Sequence, residues 1–560
     1  MKKQVTLIFL LLMLMGCSEL KQHKNGDMAA SGDTKKPFLW EAANIYFLLT
    51  DRFYNADPLN DINFNRTKTT AKLRGFEGGD IKGIIKKIEE GYFTDLGINA
   101  IWFTPIVEQI HGAVDEGTGA TYGFHGYWAK DWTALDPNFG TMEDLKNLVE
   151  LAHKKGIRIV LDGVINHTGP VTDVDVVWPA DWVRTGPQCN YQTYESTTAC
   201  TLVKNLPDVK TESNSTVEIP KPLADKWKAE GRYDREMKEL DDFFIRTGYP
   251  RAPKYYIIKW LTDYITEFGI DGYRADTAKH TEESVWGDFK KECNYAFNLW
   301  KENNPEKVLD TNNFYLVGEV YNYSISGGQI FDFGDKKVNY FENGFNSLIN
   351  FEFKWNAAQL PSYEALFSKY GAILTEDLKG FGVLNYISSH DDGAPFDKER
   401  TKTFESATKL LLCPGTSQVY YGDEAARPLI IEGTEGDATL RSNMNWHDIE
   451  NNLQTKEILV HWQKLGKFRN NHLAVGAGIH QMISAQPYVF QRMYSKENFK
   501  DAVVVGLDLN KGEKQLNVGS EFVEGALLVD AYSNTEVVVK NGMVILNTPF
   551  SIVLLEKKTP

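Results

Sequence analysis

One unit recurs along this chain: an amphipathic helical stretch, a glycine, then a short β-rich run. It reads IKKIEEGYFTDLG–INAIWFTP at residues 85–105, DLKNLVELAHKKG–IRIVLDGV at 144–164, and YYIIKWLTDYITEFG–IDGYRAD at 255–276. In the second copy Leu145, Leu148, Val149 and Ala152 fall on one helical face, and Gly156 supplies the stop. Alternation of this kind builds parallel βα units. Strand-like runs lie at residues 44–53, 99–105, 158–165, 270–275, 314–320, 345–353, 383–388 and 417–421. Eight parallel strands close as an α/β (β/α)₈ TIM barrel, whose chemistry sits at the C-terminal strand ends.

Three carboxylates lie at such ends. In GIDGYRADTAKH (residues 269–280), Arg274 and Asp276 stand two apart. Side chains alternate along a strand, so the two point the same way, and the guanidinium keeps the carboxylate ionised, as a nucleophile requires. Glu319 ends the apolar run FYLVGEV, and His390 and Asp391 close YISSHD. Three carboxylates gathered at one barrel mouth suit cleavage of a glycosidic bond.

DGVINH (residues 162–167), LPDV (206–209), GYRADTAKH, GEV and the His390-Asp391 pair occur in that order. Their order and spacing resemble the α-amylase superfamily of glycoside hydrolases, from Trp40 onward. The resemblance implies a retaining mechanism: Asp276 the nucleophile, Glu319 the acid/base, and Asp391 the third carboxylate that orients substrate hydroxyls. It implies that His125, Tyr127, His167, Arg274 and His390 line the subsite at the cleaved bond, and that Lys279 and His280 contact the leaving-group side. It also implies Ca²⁺, a cation that takes six to eight oxygens. Asn166, Asp208 and the His280 carbonyl match the family's calcium site beside the barrel. Asn55, Asp57, Asn60, Asp61, Gly78 and Asp80 resemble a second site known from cyclodextrin glucanotransferases, and read equally as an Asx-rich turn. The chain departs from the family pattern in three places: Ser389 replaces the usual Asn, LPDVK lacks the usual final Asn or Asp, and RSNMNW (441–446) lacks a Pro.

The domain reading follows from these motifs. Residues 38–167 and 251–474 form the catalytic barrel. Residues 168–250, after strand 3, form an irregular insertion domain without sustained helical period, the family's domain B. Residues 475–560 alternate in short strands, as a C-terminal antiparallel β-sandwich does. At the N-terminus, two lysines, an apolar run and Leu14-Met15-Gly16-Cys17 read as a signal peptide (1–16) ending in a lipobox-like string. Residues 17–37 then form a lipidated, flexible tether. Export places the cysteines in an oxidising compartment, where Cys189 and Cys200 could pair while Cys293 and Cys413 stay as buried thiols.

A net charge of −15 argues against nucleic acid or an anionic membrane surface as partner. The expected protein is a membrane-anchored, periplasmic or cell-surface monomer, held to the membrane by its lipid alone. Its expected activity is endo-hydrolysis of α-1,4-glucosidic bonds in starch and maltooligosaccharides. A cyclomaltodextrinase or 4-α-glucanotransferase on the same scaffold, or a catalytically silent glucan-binding lipoprotein, remains as an alternative.

Overall fold

The computed structural model describes residues 36–115 and 117–558. The signal-peptide run, Cys17 and most of the tether lie outside them. Eight strands close a parallel barrel: β1 (Asn44–Leu48), β2 (Ala100–Phe103), β3 (Arg158–Gly163), β4 (Gly272–Ala275), β5 (Tyr315–Gly318), β6 (Ser347–Asn350), β7 (Gly382–Tyr386) and β8 (Thr416–Tyr420). Every run expected from the sequence supplies one of them. The first is shorter than expected, because residues 50–53 turn into a helical loop beyond Leu48.

The helices show why these residues leave the sheet. Helix α1 (Met142–Lys154) opens with a capping box in which Thr141 and Asp144 each satisfy the other's backbone N–H. Its buried face includes Leu145, Leu148, Val149 and Ala152, as the periodicity requires. Helix α3 (Pro253–Phe268) starts on a proline and stops at Gly269, whose φ of +73° is left-handed. Gly97, at φ +69°, lets the chain turn into β2 against a long later helix, Leu453–Asn471; a Cβ there would stand 2.2 Å from the Gly466 backbone.

Between β3 and α3 runs the insertion. It carries a small antiparallel pairing of Val183–Arg184 with Asp208–Val209, and a disulfide joining Cys189 to Cys200. Cys293 and Cys413 are buried free thiols. Contrary to the sequence expectation, this segment holds helix α2 (Tyr233–Thr247) and a shorter helix, Lys221–Ala229. In α2 only Glu236, Leu240, Phe243 and Phe244 are buried, and most of the remaining positions are charged or polar. These positions share one face, an amphipathic period as clear as that of α1, so this helix is present in the pattern and the irregular reading of the segment overlooks it.

After the barrel, β9 (Ile479–Ala485), β10 (Tyr488–Lys496), β11 (Phe499–Leu507), β13 (Leu527–Asp530), β14 (Thr535–Val538) and β16 (Val553–Lys557) form a six-stranded antiparallel sheet. The β12 (Gly512–Asn517) and β15 (Met543–Thr548) pair packs on it. Leu516, Val544 and Leu546 of the pair share a small core with Val504, Leu528 and Leu555 of the sheet.

Candidate active site

Barrel register places the chemistry. Arg274 on β4 lies directly opposite Asp162 on β3 and Val317 on β5. The ladder continues one step past the strand ends: Asp276 N–H donates to the Gly163 carbonyl, and Glu319 N–H donates to the Ala275 carbonyl, each at 3.0 Å. Asp276 and Glu319 therefore emerge side by side at the barrel mouth. Asp391 comes from a loop five residues beyond β7, rather than from the strand end itself.

Arg274, only 1% exposed, organises the group. Its Nη1 donates to Asp276 Oδ1 at 2.7 Å and to Asp162 Oδ1 at 3.0 Å, while Nη2 lies 2.9 Å from Glu319 Oε2. The second Asp276 oxygen, Oδ2, is buried and has no hydrogen-bond partner, so its lone pairs are free. Glu319 Oε2 also accepts the Thr277 N–H at 2.8 Å. With two donors on Oε2, a proton on this carboxyl belongs on Oε1. Burial pushes Glu319 up to about 8; Arg274 pulls against this, and the charges of Asp276 and Asp391 add to it. The carboxyl is thus protonated at neutral pH. Burial likewise lifts Asp162 up to about 7. Asp162 accepts from Trp102 Nε1 at 3.1 Å and from the Tyr127 hydroxyl at 2.8 Å, tying the ring of Tyr127 to the barrel floor.

The other expected residues assemble around this centre. Tyr127 stacks on His390 with centroids 5.2 Å apart and on His125 at 5.8 Å. His167 Nε2 lies 3.1 Å from the Tyr127 carbonyl. Burial drops His390 and His280 to about 4, so both rings are neutral. His280 Nδ1 meets the Thr197 carbonyl at 3.0 Å, inside the disulfide-closed loop. Lys279 Nζ lies 5.9 Å from the Tyr321 ring and 5.3 Å from that of Phe331. Ser389, the departure from the family's Asn, donates to Asp391 Oδ1 at 3.2 Å.

A cleft of about 350 Å³ is lined by Asp276, Glu319, His390 and Asp391 together with Arg74, Asp437 and Arg441. The last three were not expected. Asp437 bridges Arg74 and Arg441 at 3.0 and 2.6 Å, and Arg441 Nε holds the His390 carbonyl at 2.9 Å. A larger cavity of about 460 Å³ lies elsewhere, around Lys226, but that ammonium is already spent on Glu108 and Asp131 at 2.5 and 2.6 Å. Catalytic chemistry selects the smaller cleft.

Both expected metal sets come together only in part. Asn166 and Asp208 are buried partners, the amide donating to Asp208 Oδ1. Asn166 Oδ1 is buried and unpartnered, as an ion ligand would be, but Arg184 Nε already stands 2.7 Å from Asp208 Oδ2. In the N-terminal loop, Asn55 donates to Asp61 at 2.9 Å, and Asn60 Oδ1 is buried without a partner. A Cβ on Gly78 would press to 2.3 Å from Asn55 and 2.6 Å from Asp61, so only glycine leaves room for the cradle. Two of its carboxylates have other duties: Asp80 caps the helix at Ile81, and Asp57 pairs with Lys82 at 2.6 Å. Among the described residues no three His, Cys, Asp or Glu side chains cluster as metal ligands, so a cation here would rest on amide and carbonyl oxygens as well.

A family model described as "Alpha amylase, catalytic domain" matches residues 47–452. The periplasmic alpha-amylase of Escherichia coli (strain K12) is 34% identical over 531 residues, covering 84% of this chain and 73% of that one. A cyclomaltodextrin glucanotransferase of Geobacillus stearothermophilus is 27% identical, over 81% of this chain and 58% of that enzyme. Among solved structures, the alpha-amylase of Geobacillus thermoleovorans complexed with acarbose has the same fold, with a TM-score of 0.63 at 22% identity, over 93% of this chain and all of that one.

The electrostatics are open to direct titration. By ¹³C NMR of labelled glutamate, Glu319 should titrate with a midpoint near the value of about 8 that its surroundings impose. Asp276→Asn removes one of the charges that raise it, so the midpoint should fall. An ordinary glutamate midpoint, near about 4.3, or one indifferent to Asp276→Asn, would contradict the arrangement.

Proposed function

Since the chain belongs to the alpha-amylase family of glycoside hydrolases, we propose that it is a retaining, endo-acting enzyme that hydrolyses α-1,4-glucosidic bonds in starch and maltooligosaccharides. The observation that carries this reading is one guanidinium gripping both Asp276, which keeps a bare oxygen, and Glu319, which burial raises to about 8. Retaining enzymes use such close-set pairs, about 5–5.5 Å apart.

In this mechanism Glu319 gives its Oε1 proton to the glycosidic oxygen as Asp276 Oδ2 attacks the anomeric carbon. The bond to the leaving sugar breaks and an ester to Asp276 forms. Glu319, now a carboxylate, takes a proton from water; the water oxygen attacks the same carbon and releases Asp276. Arg274 holds Asp276 Oδ1 and leaves Oδ2 free to attack. The stacked Tyr127 and the neutral His125, His167 and His390 hold the sugar at this point, and Asp391 binds its hydroxyls. Lys279 and His280 hold the departing chain.

Calcium, when bound, would act as a structural crosslink between barrel and insertion through Asn166, Asp208 and the His280 carbonyl. A second ion would be held in the loop of Asn55, Asp57, Asn60, Asp61, Gly78 and Asp80. That loop, with the 27% identity to a cyclomaltodextrin glucanotransferase, supports a second reading, glucan transfer or cyclodextrin processing on the same site. The periplasmic location named for the Escherichia coli relative supports export, and the lipobox-like string at Cys17 supports lipid anchoring. Among the described residues no helix is long and apolar enough to cross a membrane.

Soluble starch and maltoheptaose should yield shorter linear sugars, whose first-formed anomer by proton NMR is α, because two inversions restore the configuration. Glu319→Gln should lower turnover by several orders of magnitude and still bind the sugar. Wild-type kcat/KM should fall as pH rises through about 8, where Glu319 loses its proton. Initial β-anomer, or near-normal Glu319→Gln turnover, would overturn the mechanism; cyclic or lengthened products would favour transfer.

Chelation should lower the melting temperature and added Ca²⁺ should restore it, since an ion bound to the folded state alone stabilises by mass action. Asp208→Asn should blunt that response. An Asp208→Asn protein responding like wild type would place the ion elsewhere.

A further inference from the structure

The chain has 13 tryptophans, and among the described residues only Trp355 is left exposed, at 63%. A single exposed ring is ordinary in itself; what distinguishes Trp355 is where it stands and what holds it. Trp355 follows β6 by five residues, at the C-terminal mouth of the barrel. Its neighbour Lys354 is 8% exposed and pairs with Asp392, the residue next to Asp391. The Tyr386 hydroxyl donates to the same Asp392 oxygen at 2.7 Å. Lys354 Nζ also lies 4.6 Å from the Trp355 ring centroid, so the indole rests on a cation fixed to the catalytic loop.

A second ring shares this rim. Tyr321, two residues beyond Glu319, is 53% exposed and packs edge-on to Phe351 at 5.1 Å. Phe351 in turn meets Tyr386 at 5.8 Å. Glu319 delivers its proton to the leaving oxygen, so the ring beside it marks the leaving-group side of the cleft.

We propose that Trp355 is a stacking platform for glucosyl units on the leaving-group side, on the rim it shares with Tyr321, and so sets the enzyme's preference for longer chains. This rests on the α-glucan reading above. Glucose rings present C–H faces that pack on an indole, and a ring already buttressed by Lys354 loses little freedom on binding. A substrate whose leaving group is only a small chromophore cannot reach Trp355, whereas a long oligosaccharide spans both rings.

Trp355→Ala and Trp355→Phe decide the matter. With maltoheptaose, kcat/KM of Trp355→Ala should fall by about tenfold, the scale of one lost aromatic contact, and Trp355→Phe should recover much of it. With an aryl α-maltotrioside both variants should match wild type. Equal losses on the two substrates would make Trp355 merely structural, and no loss on either would remove it from the cleft; each result overturns the proposal. A second readout separates this from the reaction itself: tryptophan emission of Glu319→Gln should shift on adding maltoheptaose, and the shift should be smaller in Glu319→Gln/Trp355→Phe, where only Trp128 in the cleft and its buried neighbours still report. A wild type that cleaves no glucan would sink the functional reading, while an emission shift undiminished by Trp355→Phe would sink the platform.

Discussion

Everything at the barrel mouth depends on one buried guanidinium. Arg274 is shared by Asp162, Asp276 and Glu319, so one positive charge faces three buried carboxyl groups. Removing a charge from water costs several kcal/mol even after relaxation, and three buried anions beside a single cation cannot all stay ionised. Protonation resolves the imbalance. The proton settles where it is useful, on Glu319, and Asp162 is raised as well. The group proposed as the acid is thus set apart by its burial beside this contact. The geometry follows too, since strand register sets Arg274 opposite Asp162 and the ladder carries Asp276 and Glu319 one step beyond.

Much of this is legible in the chain because glycine and periodicity mark the barrel so regularly. Gly156 and Gly269 stop their helices just before β3 and β4. The strands are short and apolar, so all eight runs are recognisable, although the first overshoots into residues 50–53. Helix α2 carries an equally clear period, with Leu240, Phe243 and Phe244 on one face, but it sits among turn-rich segments and the irregular reading of the insertion passes over it. Arg74, Asp437 and Arg441 are hidden for another reason. Asp437 and Arg441 pair locally, four residues apart, but Arg74 joins them from 363 positions away, and no local pattern announces that contact.

The loop closed by Cys189 and Cys200 ties the insertion to the cleft. It reaches the site through the Thr197 carbonyl on His280, and residues just past the crosslink, Leu202 and Val203, line the cleft wall. On the opposite rim Asp392 gathers Lys354 and Tyr386, fixing the catalytic loop and the exposed indole beside it. Both rims are held by contacts between segments distant in sequence, which suits a groove that must keep its shape along several sugar units.

The central claim is that Asp276, held by Arg274 at one oxygen and bare at the other, becomes covalently bound to the sugar. Incubation with a 5-fluoro-α-glucosyl fluoride, followed by digestion and mass spectrometry of the peptides, tests it most directly. The account predicts one added glycosyl mass, on the peptide containing Asp276 and located to that side chain, and none in Asp276→Asn. A stable label on Glu319 or Asp391 instead would contradict it.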